Sequence, residues 1–312
     1  MIGRKNFPSK ILLFGEYTVI RKSNALAIPF ELFEGRLLFK KSNAGNGLVI
    51  DQELLAFSKY LKDIDIPFSG CHLDVDSFSF DVSQGLSFSS SIPRGFGVGS
   101  SGALCSAIFQ RYAQAPLSVL DNPQKMKVIF SLMENHFHGE SSGIDPLISF
   151  YAKPILMDRK KDLQLIDILP PHKGEGEMFL LNTGRARRTE PLVSLFLEKC
   201  KSPDFISTLD EKLIPVNDKC IEHFLDGNFD ALLKCYAELS TIQFEYFKDM
   251  IPKLFRPIWE RGLESERYYL KLCGAGGGGF LLGFSKNLVS SRKDLEGMDI
   301  RPIRFNFLNS NG

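Results

Sequence analysis

The stretch "IPRGFGVGSSGALCSAIFQRY", Ile92 to Tyr112, restricts this chain more than any other. Glycines at 95, 97 and 99 carry no Cβ, so consecutive backbone N–H groups can turn toward one concave point. Two serines follow, and then an apolar run at helical spacing over about residues 101–113. The start of such a helix adds unsatisfied donors and the positive end of its dipole, a combination that favours an anion. Each interaction of this kind contributes about 0.3–1 kcal/mol at an exposed helix end, so several must converge to hold a polyphosphate. Ser100 and Ser101 are placed to cap the helix, contact phosphate or ligate Mg2+. No Lys-Ser/Thr pair follows the glycines as in a Walker A loop, and the spacing departs from the Rossmann fingerprint. Taken alone, a glycine-rich turn with a serine cap also accounts for the stretch.

Around this loop the pattern is mixed. "KILLFGEYTVI" reads as a buried strand, a turn at Gly15-Glu16 and a second strand, and "NALAIPFELFEGRLLFKKS" continues with strand-like runs. Helical spacing is expected over 52–63 and 123–138, and "CHLDVDSFSFDVS" is expected to alternate along a strand. "KPILMD" and "LQLIDIL" read as strands closing a first domain. "PPHKGEGE", Pro170 to Glu177, is the best boundary, giving domains 1–172 and 173–312. Beyond it come the strand "MFLLNTG", helical stretches from 190 to 270, and a strand–loop–strand, "YYLKLCGAGGGGFLLGFS". Antiparallel strands with helices on one face describe this better than strict βα alternation, so the fold class is α+β.

Three signatures resemble those of the GHMP kinases, in that superfamily's order and across nearly the whole chain. They are "SKILLFGEYTVI", "PRGFGVGSSGA" and "CGAGGGGFLL". In the central one, Val98 stands for the usual Leu and Gly102 for the usual Ala. The segment "ENHFHGESSGID" resembles the mevalonate kinase pattern Glu-x-x-x-His-Gly-x-Pro-Ser-Gly-x-Asp, with Ser141 in the place of Pro and Pro146 where Asn often follows. "NTGRARRTEPLV" is similar to a further mevalonate kinase run that places Arg187 and Thr189 at its Arg and Thr. Tyr17 replaces the His of many animal mevalonate kinases, and Gly-Glu-Tyr also occurs among phosphomevalonate kinases.

This resemblance implies a two-domain α+β GHMP kinase fold, with a ribosomal protein S5 domain 2-like N-terminal domain, a ferredoxin-like C-terminal domain, and the active site between them. It implies ATP and Mg2+ as cofactors and phosphorylation of a small alcohol, mevalonate first and phosphomevalonate or a sugar as alternatives. A catalytically silent nucleotide-binding regulator is the alternative from another class. Pro93, Gly95, Gly97, Val98, Gly99, Ser100, Ser101 and Gly102 would form the ATP loop, and Ser101 with Glu134 would hold Mg2+. Asp145 would act as base or electrostatic orienter of the alcohol, with Lys10 beside it keeping the carboxylate ionised. Without the resemblance, Asp145 is as readily a turn former and Lys10 a charge flanking a strand. Glu16, Tyr17, Arg187, Thr189, Ala275 and Gly276 would line the acceptor site, although "RARR" is equally a solvated basic loop. A transition-metal site from Glu134, His136 and His138 lacks a further His or Cys ligand at known spacing.

Composition narrows the remaining classes. A net charge of +1 over 312 residues argues against a nucleic-acid surface spread over the molecule. No apolar run approaches the ~18 residues of a membrane helix, and the N-terminal apolar patch is too soon interrupted by Glu16 for a signal peptide. Six cysteines without a CxxC pair point away from disulfide or zinc frameworks and toward a reducing cytoplasm. A homodimer is left open.

Overall fold

The computed structural model describes residues 5–40, 49–168, 176–187 and 190–305. Two antiparallel sheets organise them. In the first, Phe7–Phe14 pairs with the long strand Ala25–Phe39, which also pairs with Ile155–Met157 and, along its far half, with Leu86–Ser90. Leu163–Leu165 completes that sheet. The second sheet runs Ile300–Pro302, Glu177–Asn182, Phe280–Ser285, Tyr269–Leu272 in spatial order. The expected boundary falls mostly on residues 169–175, which lie outside the described residues.

The uninterrupted apolar runs of the first two strands have a physical cause: both faces of the first sheet are covered. Leu12 and Ala27, which pair across the strands, pack with Leu104, Ile108, Leu147 and Ile148 on the helices of the N-terminal half. Their neighbours Ile11, Ile28, Leu26 and Phe14 face the other way, into a core shared with the C-terminal half. There the Phe14 ring lies 6.1 Å from Phe224 and 6.2 Å from Tyr236. The expectation of helices on one face is therefore corrected: the second half of the chain closes the other face.

Two local expectations also change. The strand expected after Gly15-Glu16 is a short 3-10 turn, Thr18–Arg21, entered through Tyr17 at φ +63°, and extended chain resumes only at Ala25. Within "CHLDVDSFSFDVS" only His72–Leu73 is strand, whereas Val75–Ser83 is a helix. Asp74 caps that helix by accepting the Ser77 N–H at 2.9 Å, and Phe78 and Val82 bury on one face at helical spacing. The helices expected near 52–63, 101–113 and 123–138 occur as Gln52–Leu61, Ser100–Tyr112 and Pro123–His138.

Candidate active site

The first strand and the glycine loop are joined directly: the Lys10 N–H donates to the Val98 carbonyl at 2.9 Å. Gly95, Gly97 and Gly99 all have left-handed φ, at +77°, +72° and +80°. A side chain is excluded at Gly97 on space as well, since a Cβ there would lie 1.9 Å from Arg187 Nη2. Pro93 leads into the loop and Ser100 opens the helix. Gly99 is itself the N-cap, with no side-chain capping bond, so neither serine caps the helix as one reading had it. Ser101 is thereby free for another task. Its hydroxyl lies 2.9 Å from Glu134 Oε1 and 2.9 Å from His138 Nε2.

Asp145 sits in the first turn of the helix Ile144–Tyr151, entered through Gly143 at φ +71°. Its Oδ1 meets Lys10 Nζ at 3.0 Å, directly beneath Gly99, where a Cβ would lie 2.9 Å from Lys10 Cγ and 3.6 Å from Asp145 Oδ2. The two helices approach closely because residue 102 is glycine: a Cβ there would stand 2.7 Å from both the Asp145 carbonyl carbon and the Pro146 nitrogen. Ser106 Oγ donates to the Pro146 carbonyl at 2.6 Å, fastening the same contact.

Glu134 is buried at the end of the helix Pro123–His138. Ser101 donates to one carboxylate oxygen, and Ser141 Oγ donates to the other at 2.5 Å. Burial, followed by the negative charge of Asp145, raises its pKa to about 7 against the two serine hydrogen bonds and Lys10. A serine hydroxyl beside one carboxylate is a hard-oxygen donor set that suits Mg2+, which keeps several waters and draws further ligands from phosphate. Among the described residues no group of three or more His, Cys, Asp and Glu stands close enough to hold a metal ion. His136 turns away, its ring 5.3 Å from Phe57 and 5.0 Å from Tyr60, so the Glu134–His136–His138 metal reading is set aside.

The third glycine segment folds onto the phosphate loop. A Cβ at Gly279 would lie 2.6 Å from the Phe96 carbonyl, and the Gly279 N–H donates to Arg185 O at 2.7 Å. Arg187 is wedged between the two loops. Its N–H donates to Gly95 O at 2.9 Å, and Nη1 donates to Gly276 O at 3.0 Å. Nε is buried without a protein partner, and desolvation lowers the guanidinium pKa. Arg187 is thus a packed residue, while Arg185, two residues before it, is exposed. Thr189 and Arg188 lie outside the described residues.

Glu16 and Tyr17, expected to line the acceptor pocket, have interior roles instead. Glu16 is paired with Lys271 at 2.5 Å, with side chains 1% and 0% exposed. The Tyr17 hydroxyl donates to Ala275 O at 2.6 Å, and its ring lies 4.7 Å from Phe196. The Ala275 and Gly276 carbonyls, each accepting from a protein side chain, brace the loop. Two partners, Ser141 and Lys271, lie outside the residues the motifs mark for the site. Lys271 had a signal, since it is the lone charge inside the apolar run "YYLKLCG".

The chain is similar to known kinases in sequence and in fold. Residues 59–153 match the GHMP kinases N terminal domain. The chain is 25% identical to a mevalonate kinase of Dictyostelium discoideum, over 89% of this chain and 86% of the relative. It is 24% identical to a mevalonate kinase of Archaeoglobus fulgidus, over 89% and 91%. Among solved structures, L. major mevalonate kinase in complex with R-mevalonate superposes with a TM-score of 0.65 at 15% identity, covering 97% of this chain and 96% of that one. Lactococcus lactis galactokinase complexed with galactose reaches 0.64 at 13% identity, covering 96% and 93%. At such identities the structural likeness establishes the fold and leaves the acceptor undecided. Residues 59–153 match the GHMP kinases N terminal domain, and the chain shares the mixed α/β fold of the kinases on which it superposes.

Proposed function

We propose that this chain is an ATP-dependent kinase of a small alcohol, with mevalonate to 5-phosphomevalonate its leading reaction and its two domains divided near residues 172 and 173. The observation that carries the reading is the Lys10–Asp145 pair at 3.0 Å, held beneath the glycine loop and beside Ser101 and Glu134. Phosphoryl transfer asks mainly for positioning and charge stabilisation, and this arrangement supplies both. The loop N–H groups and the start of the helix Ser100–Tyr112 receive the nucleotide phosphates. Asp145 orients the attacking hydroxyl and takes its proton, while the Lys10 ammonium, 3.0 Å from that carboxylate, stabilises the developing alkoxide. Ser101 Oγ and Glu134 Oε1 would hold Mg2+, which would supply neutralisation of the nucleotide phosphates' charge. Arg187, wedged between the two glycine loops with Nη1 on Gly276 O, braces the loops that frame the site.

Both mevalonate kinase relatives and the "HGESSGID" segment support mevalonate. Tyr17 keeps phosphomevalonate as the second reading. A panel of mevalonate, phosphomevalonate and galactose with Mg2+ and ATP, read by ADP release, tests the assignment. Turnover of mevalonate alone is the expected result, and turnover of either other acceptor in its place overturns it. Asp145→Asn should lower kcat by about 100- to 10,000-fold while nucleotide binding persists, and near-normal turnover sinks the role given to Asp145. ATP binding with no turnover on any acceptor would favour a non-catalytic nucleotide-binding protein.

A further inference from the structure

Ser141 stands where the mevalonate kinase pattern has proline, and it is the most heavily bonded residue of the loop that follows the helix Pro123–His138. Its N–H donates to Asn135 Oδ1 at 2.8 Å, and its carbonyl accepts from Ser131 Oγ at 2.6 Å. Its hydroxyl accepts the Gly143 N–H at 3.1 Å and donates to Glu134 Oε2 at 2.5 Å. These bonds tie the loop to the last turns of the helix and to the turn that opens the Asp145 helix. They also divide the work of one carboxylate. Oε2 is occupied by Ser141, and Oε1 is turned to the Ser101 hydroxyl.

We infer that Ser141 is a positioning residue: its hydroxyl fixes the Glu134 carboxylate so that a single oxygen, Oε1, is presented to the divalent cation shared with Ser101. Proline at this position has neither the hydroxyl nor the N–H, so it cannot hold Glu134 in this way. The inference rests on the proposed reading of Glu134 as a cation ligand. A buried carboxylate with both oxygens unbonded rotates or takes up bidentate geometry. A clamped one keeps its orientation, and partners of this kind change metal affinity by about 10- to 100-fold.

The test uses the full chain and Mn2+ as a spectroscopic stand-in, with free Mn2+ counted by electron paramagnetic resonance in the presence of a non-hydrolysable ATP analogue. Ser141→Ala should weaken Mn2+ binding by about ten-fold or more. Ser141→Thr, which keeps the hydroxyl, should bind within about three-fold of the wild type. Steady-state rates add a second readout: Ser141→Ala should raise the Mg2+ concentration for half-maximal turnover and leave the KM for the acceptor alone. Unchanged Mn2+ binding in Ser141→Ala, or equal weakening in Ser141→Thr, overturns the inference. Glu134→Gln separates the two layers. If it weakens Mn2+ binding while Ser141→Ala does not, Ser141 has been misassigned. If Glu134→Gln also binds normally, the cation reading itself fails and the inference goes with it.

Discussion

Lys271→Met is the most informative single perturbation of the joint between the two halves. The Lys271 ammonium is fully buried on the strand Tyr269–Leu272, bonded to Glu16 at 2.5 Å and to the Leu272 carbonyl at 2.8 Å. Burial pushes the Glu16 carboxyl above its ordinary value of 4.5, and Lys271 pulls it back. Methionine fills similar volume and removes the counter-charge, leaving Glu16 in the same dry place. Stranding one member of a buried pair costs about 3–5 kcal/mol. The pH dependence gives an independent route to that figure. A carboxyl whose folded pKa is raised binds its proton more tightly when folded. Its contribution is fully present below the unfolded pKa and is lost as pH rises through the folded one. Removing Lys271 raises it further, so above the wild-type value the variant loses about 1.4 kcal/mol per pH unit relative to the wild type until its own carboxyl ionises. Urea melts read by the single tryptophan, Trp259, which is fully buried, measure this directly. The gap between wild type and Lys271→Met should be small near pH 5 and widen to several kcal/mol near pH 8. The double variant Glu16→Gln/Lys271→Met should recover at least half of the loss and show no such slope. A gap that is flat with pH, or below about 1 kcal/mol at pH 8, refutes the reasoning.

Glu134 makes a second titration prediction. Its pKa rises from 4.5 to about 7, so its contribution is present below about 4.5 and fades as pH climbs through 7. The cation-free protein should lose about 3 kcal/mol across that window, and Glu134→Gln should flatten that part of the curve in chemical denaturation. Tyr17→Phe removes the donor to the Ala275 carbonyl and should cost about 1–3 kcal/mol in the same melts.

The parts of the fold legible in the sequence were those written in local pattern. The helices Ser100–Tyr112 and Pro123–His138 announced themselves by spacing, and the glycine loop by composition. Val75–Ser83 has the look of a strand because Phe78 and Phe80 alternate with serines, while the cap from Asp74 to Ser77, which decides the matter, spans only three residues. Of the candidate site, the motif residues were the legible part: Lys10 stands at hydrogen-bond distance from Asp145, and Ser101 from Glu134. Illegible were the partners that only tertiary contact creates. Glu16 and Lys271 are 255 residues apart, and no local pattern links an acidic turn residue to a lysine in a distant strand.

The departures from the family pattern carry a further argument, because two of them touch. Gly102 replaces the usual alanine and Pro146 the usual asparagine, and a Cβ at 102 would lie 2.7 Å from the Pro146 nitrogen. Proline limits the backbone of the residue before it, here Asp145, and stiffens the first turn of the helix Ile144–Tyr151. Such a turn cannot yield to a methyl group, so glycine at 102 is the matching change. Gly102→Ala should therefore cost about 1–3 kcal/mol through overpacking. It should also lower turnover by about 100-fold, since a misplacement of about 1 Å at Asp145 suffices for that loss. Adding Pro146→Asn frees the turn to move, and the double variant should regain at least about ten-fold in rate over Gly102→Ala alone. Thermal melts and initial rates on the four proteins of this cycle decide the matter. If Pro146→Asn rescues nothing, the two replacements are independent, and the close approach of these helices does not explain the glycine.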